Sequence, residues 1–275
     1  MISGAFRRLK HRRRQARAIA EIAARPIGEG AGHGLAAPLI VSLTSYPARF
    51  GTLALTLKAI LRQSIRADRV ILWLDEGDED SLPVEVTELK AEGLEIAACP
   101  AWRSYKKIVP TLLAWPEANI VTADDDVYYP RDWLAGLVRA MSGGARVICH
   151  RAHRISLNAD QTPRPYGEWQ HNIAEPEQSA RVFLTGVMGV IYAPGAFHEE
   201  ITRDDLFTRL SPGSDDVWLY WMHRLAGVEA QKIGGRARIL EWGGSQAQSL
   251  RTENVAGSGN DRAIQAMLGR YGWPS

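Results

Sequence analysis

Residues 118–133, ANIVTADDDVYYPRDW, join a short β-type run to three consecutive carboxylates and the start of a helix. The run 119–123 leads directly into Asp124, Asp125 and Asp126, and a helix is expected from about Pro130, because proline suits the first turn. Adjacent carboxylates repel one another, so three of them at the end of a buried strand need a counter-charge. Mg²⁺ or Mn²⁺ supplies one, and such ions bind one or two carboxylates together with substrate phosphates. The alternative is a solvated acidic turn, but ligands of α/β sheets bind beyond the carboxyl ends of strands, which favours a metal loop.

Length and composition are those of an ordinary globular protein. The chain has 275 residues, of which 45% are hydrophobic and 23% charged, and this size suits one large α/β domain or two small ones. Cys99 and Cys149 are too few for a disulfide framework or a zinc site, which predicts reduced thiols and a cytoplasmic protein. No window approaches about 18 consecutive apolar residues, so we expect no transmembrane helix.

The positive charge is concentrated at the N-terminus. Residues 1–25 hold eight lysines and arginines against one glutamate, a net charge of +7, whereas the other 250 residues hold 25 basic and 30 acidic residues, a net charge of −5. Apolar residues interleave with the arginines, so we expect the arm to contact the anionic inner face of the cell membrane peripherally. A disordered basic tail and a nucleic-acid-binding arm are the alternatives. No apolar segment follows the charges, so a secretory signal is not expected.

The arm is expected to end in a flexible linker, GEGAGHG at 28–34, with the folded body beginning near Ala37. Within the body, apolar runs at 39–43, 69–74, 94–97, 119–123 and 146–149 alternate with helical patterns. This alternation predicts a mainly parallel α/β sheet with helices on both faces, in which Thr44, Asp75, Ala97 and Asp124 end strands at one edge. Residues 37–150 would form one half of the domain and residues 151–275 the other.

The second half carries a polar loop, a strand and another acidic pair. Residues 151–179 lack a regular pattern, and a loop of this length in a compact domain is usually functional. Residues 182–192 predict a strand whose Gly186 and Gly189 permit close backbone approach. Asp215 and Asp216 open a predicted helix, whose dipole favours ionised carboxylates at this end, although acids are common there for stability alone. If the two acidic groups face each other, one can hold a metal and diphosphate while the other deprotonates an attacking hydroxyl.

An ordered set of motifs carries a resemblance. The motifs occur in this order along the chain: TSYP after the first strand, an acid after the second, YKK at 105–107, TADDD at 122–126, TGVMGVIY at 185–192 and SDDVW at 214–218. Together they resemble the motifs of the nucleotide-sugar-dependent GT-A glycosyltransferases. The similarity extends over roughly residues 38–270 and is greatest to bacterial family 2-type enzymes of capsule and lipopolysaccharide loci. It implies a GT-A, Rossmann-like sheet in a single large domain. The acidic pair departs from the usual Glu-Asp of the family, since it is Asp-Asp here. The QxxRW-type helix of processive synthases and transmembrane spans are absent from the sequence, which favours the transfer of single sugars.

The resemblance also implies a role for individual residues. The donor nucleotide and its diphosphate would contact residues that follow the strands: Thr44, Ser45, Tyr46, Arg49, Asp75, Lys106, Lys107, Asp124 and Asp125. Asp126 and Asp124 match the DxD motif, and Asp126 is the better match for the metal. Asp216, with Asp215 beside it, matches the general base of inverting enzymes. Gly186 and Gly189 would form part of the acceptor wall, and Asn260 and Asp261 are weaker substrate candidates. A third metal ligand is not assigned, although His198 and His223 are available.

Two aromatic residues of the polar loop add an acceptor candidate. Tyr166 and Trp169 have little reason to be in the core, and an aromatic face suits the apolar face of a sugar ring. A loop anchored by its own aromatic side chains is the alternative.

The sequence therefore predicts an inverting glycosyltransferase that uses Mn²⁺ or Mg²⁺, a nucleotide-diphosphate sugar donor and a glycan or lipid-linked acceptor. A nucleotidyltransferase of related fold is a second hypothesis, but such enzymes open with a glycine-rich basic loop where residues 44–49 read TSYPAR. A nucleic-acid-binding protein is a third. No basic stripe interleaved with aromatic residues follows residue 25, so nucleic acid is not an expected partner.

Overall fold

The computed structural model describes residues 2–243 and 259–274. Its central sheet is built on four parallel strands: β2 (Leu39–Thr44), β4 (Arg69–Asp75), β5 (Leu94–Cys99) and β6 (Asn119–Ala123). The apolar side chains of β2, β4 and β6 are buried on both faces, whereas the edge strand β5 is only partly buried. Leu39, Ile40, Val41 and Leu43 are all fully buried, as expected for a parallel strand covered on both sides. The prediction of a mainly parallel α/β sheet is confirmed.

Strands from the second half of the chain extend this sheet. They are β7 (Val147–Cys149), β9 (Glu177–Ser179), β11 (Val190–Tyr192) and β12 (Ala230–Lys232), and the order across the eight strands is β5-β4-β2-β6-β11-β7-β12-β9. Strand β11 runs antiparallel between β6 and β7. Two small pairings complete the described strands, β1 (Ala31–Gly32) with β3 (Ile65–Arg66) and β8 (Ala152–Arg154) with β10 (Val182–Leu184).

Helices cover both faces of the sheet. One face packs against α1 (Ile2–Ala23), α2 (Phe50–Leu61), the short α3 (Val84–Thr87) and α5 (Trp133–Met141). The other packs against α4 (Val109–Ala114), α6 (Asp204–Leu210), α7 (Asp215–Leu225) and α8 (Gly259–Tyr271). Alternate residues of β2 point to opposite faces of the sheet. Ile40 packs in the core that contains α7, and Val41 packs in the core that contains α2.

The N-terminal arm forms a helix that packs on the folded body, so it is not the disordered tail that was one alternative. Helix α1 buries Ala18 and Ile22 against the core that contains α2. Arg25 is 5% exposed and donates to the carbonyl oxygens of Ala59 and Tyr129. The expected linker also contributes β1, so the folded body begins well before Ala37. In the described residues no helix is both long enough and apolar enough to cross a membrane.

Two further expectations are corrected. Residues 182–192 form two strands in different sheets rather than one, because the chain turns between them with Met188 and Gly189 at φ values of 74° and 82°. The polar stretch 151–179 is partly regular, since it contains β8, a 3-10 turn at Tyr166–Glu168 and β9.

Candidate active site

The carboxyl ends of the parallel strands place the chemistry-bearing residues at one edge of the sheet. Leu43 pairs with Ala123, and Thr44 pairs with Trp73, so the residues that follow β2 and β6 emerge side by side. Asp75 ends β4 next to them. This is the edge at which open α/β sheets bind ligands.

The middle carboxylate of the acidic triplet is held by the loop after β2. Asp125 accepts hydrogen bonds from Ser45 Oγ at 2.5 Å and from Arg49 Nη1 at 2.7 Å, one on each carboxylate oxygen, and is 4% exposed. The same Arg49 nitrogen lies 3.2 Å from Asp126 Oδ2. Both oxygens of Asp125 are therefore engaged within the protein.

Lys107 brings the two acidic groups together. Its Nζ lies 3.2 Å from Asp124 Oδ1 and 2.9 Å from Asp215 Oδ2, and only 9% of the side chain is exposed. Burial alone lowers the pKa of a lysine, but Asp124, Asp215 and Asp216 outweigh it and raise the pKa of Lys107 well above its usual value. Lys107 is therefore a fixed cation between the acidic triplet and the start of α7.

The backbone after β10 holds Asp216. Gly186 N donates to Asp216 Oδ1 at 2.8 Å, so one carboxylate oxygen is fixed in direction. A Cβ at Gly186 would come within 2.7 Å of Lys107 Nζ and 3.2 Å of Asp216 Oδ1, which explains why this close approach takes a glycine. Gly189 is close to Trp133 instead, where a Cβ would meet Cζ2 at 2.5 Å.

The site carries more negative than positive charge. Five carboxylates, at positions 124–126, 215 and 216, face the two cations Arg49 and Lys107. Burial and the neighbouring Asp124 and Asp125 raise the pKa of Asp126 to about 7, and burial together with Asp215 raises the pKa of Asp216 to about 7. This excess of negative charge is what a bound cation would neutralise.

The residues present fit a divalent cation bound jointly with a substrate. In the described residues no three His, Cys, Asp or Glu side chains are grouped to hold a metal. Mg²⁺ or Mn²⁺ does not require that, since one or two carboxylates and phosphate oxygens suffice. Asp126 and Asp124 offer such oxygens. His198 and His223 are occupied elsewhere, because His198 Nδ1 accepts from the backbone N of Glu200 and the buried His223 ring bonds the Val228 carbonyl at 2.8 Å.

The remaining donor-side candidates line the same edge. Lys106 Nζ pairs with Asp75 Oδ1 at 2.8 Å, while Thr44 Oγ1 donates to the Trp73 carbonyl at 2.7 Å. The Arg49 guanidinium lies over the Tyr46 ring, 5.4 Å from its centroid. The two lysines of YKK thus have different partners, with Lys106 serving the end of β4 and Lys107 the acidic groups.

Two residues at the site were missed by sequence reasoning. The buried Tyr129 hydroxyl accepts a hydrogen bond from Asp124 N at 2.8 Å and so fixes the backbone of the triplet. Glu241 pairs through its backbone with Val127 and adds to the negative potential at Asp126. Neither carries a sequence signal, because Tyr129 reads as an ordinary core residue and Glu241 lies outside any motif.

Tyr166 and Trp169 do not present an exposed aromatic face, which corrects the expectation made from the loop. They are 7% and 4% exposed, and both pack against Phe183, with ring centroids 6.0 Å and 5.0 Å from its ring. The Trp169 indole donates to the Arg164 carbonyl. The burial of these rings anchors the loop, which was the alternative.

Asn260 and Asp261 also have structural partners. Asn260 Oδ1 accepts from Ser214 Oγ at 2.8 Å, directly before the acidic pair, and Asp261 Oδ1 accepts from Tyr166 N at 2.7 Å. These contacts attach α8 to the start of α7 and to the polar loop.

No protein-family model matches the chain, and neither does any curated protein sequence. Among solved structures, the fold is similar to that of S. aureus TarS 1–349 in complex with UDP-GlcNAc, at 12% identity and a TM-score of 0.50, covering 84% of this chain and 66% of that one. A mannosyltransferase from Pyrobaculum calidifontis, in complex with GDP-Man and Mn²⁺, gives 14% identity and a TM-score of 0.45, covering 79% of this chain and 60% of that one. A 4-diphosphocytidyl-2C-methyl-D-erythritol synthase from Anaerococcus prevotii gives 13% identity and a TM-score of 0.49, covering 81% of this chain and 96% of that one.

At these identities the similarity concerns the fold. The chain spans about three fifths of the length of the mannosyltransferase and just under two thirds of the TarS chain. The architecture of this protein, a single α/β domain with a large, mostly parallel sheet flanked by helices, is of the GT-A, Rossmann-like type.

Proposed function

We propose that this protein is a metal-dependent glycosyltransferase that moves a single sugar from a nucleotide-diphosphate sugar to a hydroxyl of a glycan or lipid-linked acceptor, with inversion. The observation that carries this proposal is the position of Lys107, 3.2 Å from Asp124 and 2.9 Å from Asp215. It joins the loop suited to a metal and diphosphate to the carboxylate pair suited to a proton transfer, at the ligand-binding edge of the sheet.

The donor side of the site is the loop after β2 together with the acidic triplet. Asp126 and Asp124 would hold Mn²⁺ or Mg²⁺, which when bound stabilises the charge on a departing diphosphate. Arg49 and Ser45 fix Asp125, and thereby keep the triplet and the β2 loop in one arrangement. Thr44, Tyr46 and Asp75 lie where the nucleoside would contact the strand ends, and Lys106 orients Asp75.

The acceptor side is built around Asp216 and the turn that contains Gly186 and Gly189. A pKa raised to about 7 makes the ionised Asp216 a stronger base than an ordinary aspartate, and a general base works best when its pKa is near the working pH. Gly186 N holds Oδ1 in place. Asp215 pairs with Lys107, so its carboxylate serves to position that lysine rather than to accept a proton.

In the reaction, the acceptor hydroxyl loses its proton to Asp216 as its oxygen bonds to the anomeric carbon of the donor sugar. The bond from that carbon to the diphosphate oxygen breaks, and the nucleoside diphosphate leaves with the bonding electron pair. Attack from the side opposite the leaving group inverts the anomeric centre.

Calorimetric and thermal-shift titrations with UDP, GDP and their sugars, each with and without Mn²⁺, test the proposal. A ligand that binds the folded state alone raises its stability by mass action. We expect at least one nucleotide to bind with Mn²⁺ dependence, and we expect Asp126→Ala to lose that dependence. Asp132→Ala is the matched control, because Asp132 lies close by in the chain but is exposed at the start of α5.

Two results would overturn the assignment. One is the failure of every nucleotide and nucleotide-sugar to bind in the presence of Mn²⁺. The other is full donor-dependent turnover by Asp126→Ala in the presence of a chelator, which would remove the metal role.

A further inference from the structure

The N-terminal half of α1 is exposed. Every residue from Phe6 to Arg14 is exposed, whereas Gln15, Ala18 and Ile22 contact the folded body. At 1.5 Å per residue the exposed portion is roughly 13 Å long. An isolated helix of this length is marginal in water, so a surface that covers it would stabilise it.

This exposed half and the turn that follows it are strongly cationic. The described residues offer no carboxylate partner to the following side chains: Arg8, Lys10, Arg12, Arg13, Arg14 and Arg17. Like charges recur four positions apart, as in Arg13 and Arg17, and such pairs destabilise a helix. No acidic residue occupies the first turn, where the helix dipole favours one. A polyanionic surface would relieve these repulsions.

Two exposed apolar side chains indicate which kind of polyanionic surface the helix would contact. Phe6 is 66% exposed and Leu9 is 48% exposed. At about 100° per residue, they lie roughly 120–180° around the helix from Ala18 and Ile22, which face the body. The helix therefore presents an outward stripe of Phe6 and Leu9 flanked by Lys10, Arg13 and Arg17.

We propose that α1 docks this outward stripe onto an anionic lipid bilayer. Cations next to exposed aromatic and aliphatic side chains are the composition of an interfacial helix, in which the apolar side chains enter the boundary between headgroups and acyl chains. A nucleic acid would engage the arginines but would leave Phe6 and Leu9 in water. The apolar stripe is therefore what selects lipid over nucleic acid.

The docked helix is attached directly to the candidate site. Gln15 Nε2 donates to the Glu241 carbonyl at 2.8 Å, and Glu241 pairs through its backbone with Val127, next to the acidic triplet. Arg25 donates to the Tyr129 carbonyl at 2.9 Å, and the Tyr129 hydroxyl contacts Asp124 N. The bilayer would thus lie on the acidic-triplet side of the site. The membrane contact does not rest on the proposed function.

Sedimentation of the full-length chain with vesicles tests the docking. We expect binding to phosphatidylglycerol-rich vesicles and none to pure phosphatidylcholine vesicles. Arg13→Ala/Arg17→Ala should weaken binding roughly 30-fold, which corresponds to about 2 kcal/mol for two cations near an anionic surface. Phe6→Ser/Leu9→Ser should weaken vesicle binding as well, while leaving any affinity for duplex DNA unchanged.

Matched controls lie elsewhere on the surface. Val84→Ser/Leu113→Ser removes two apolar side chains that are 61% and 58% exposed, and Arg181→Ala/Arg209→Ala removes two exposed cations. Both should bind vesicles as the unmodified chain does. The proposal is overturned if the unmodified chain ignores phosphatidylglycerol, if the α1 variants bind as well as the controls, or if duplex DNA binds more tightly than vesicles. Nucleotide binding is measured in a separate experiment, so a failure of the proposed function can be distinguished from a failure of membrane docking.

Discussion

Lys107 and Asp215 form a buried ion pair in which Nζ lies 2.9 Å from Oδ2, and the same ammonium group lies 3.2 Å from Asp124. Asp124 follows a strand in the first half of the chain, and Asp215 opens a helix in the second. One cation therefore sets the spacing between the two acidic groups on which the proposed chemistry depends.

Lys107→Met should lower the free energy of unfolding at pH 7 by about 3–5 kcal/mol, because removing one partner of a buried pair leaves uncompensated charge. Urea denaturation measures the loss. Lys106→Met is the matched control. Its partner Asp75 has a side chain that is 38% exposed and can be hydrated, so the loss should be smaller. Equal losses in the two variants would show that Lys107 has no special role between the acidic groups.

Asp216→Asn should reduce the rate of sugar transfer by roughly 10²–10⁴-fold, the usual contribution of a general base. The amide oxygen can still accept from Gly186 N, so donor affinity should be unchanged. Steady-state kinetics and donor titration measure the two effects. Retention of the full transfer rate would assign the proton transfer to another group.

The free energy of unfolding of the metal-free protein should depend on pH through Asp216. Its pKa rises from 3.8 to about 7 on folding, because burial and Asp215 disfavour the ionised form. The folded state therefore binds this proton more tightly, so the favourable contribution is complete below about pH 4 and is lost as the pH rises through about 7. Asp216→Asn should flatten the decline over that window, and denaturation at a series of pH values measures it. Parallel curves for the two proteins would contradict the shift.

Gly186→Ala should impair donor-dependent turnover and lower the free energy of unfolding by about 1–3 kcal/mol, the usual cost of inserting a methyl group where there is no room. The new Cβ would lie 2.7 Å from Lys107 Nζ and would displace it from the acidic groups. Gly51→Ala is the control, since it lies in α2 with no atom within 4 Å of the added carbon. It should be neutral or stabilising, because alanine is the better helix former. Unaltered turnover by Gly186→Ala would show that the approach of Gly186 to Lys107 is dispensable.

The local pattern of the sequence was enough to predict the sheet. Runs such as 39–43 and 119–123 are mostly apolar, which favours burial on both faces, and their alternation with helices favours a parallel arrangement. Parallel strands end at one edge, so the placement of Thr44, Asp75 and Asp124 there also follows from the sequence.

The local sequence pattern did not predict contacts between segments that are distant in the chain. Tyr166 and Trp169 sit in a polar loop, and only the arrival of Phe183 from β10 gives their rings a core to enter. Likewise, the sequence pattern places the arginine-rich arm outside the folded body, although Ala18 and Ile22 pack into the core that contains α2. Two or three apolar side chains are too weak a periodic signal to predict such docking.

The sequence by itself determined that this chain forms a parallel α/β sheet with carboxylates beyond its strands, because hydrophobic periodicity and local charge are properties of neighbouring residues. Only the tertiary structure decided that Lys107 rather than Lys106 stands between Asp124 and Asp215, and that Gly186 holds Asp216. The two lysines are adjacent and chemically identical in the sequence. Their roles differ because consecutive side chains point in different directions, one toward the end of β4 and the other toward the start of α7.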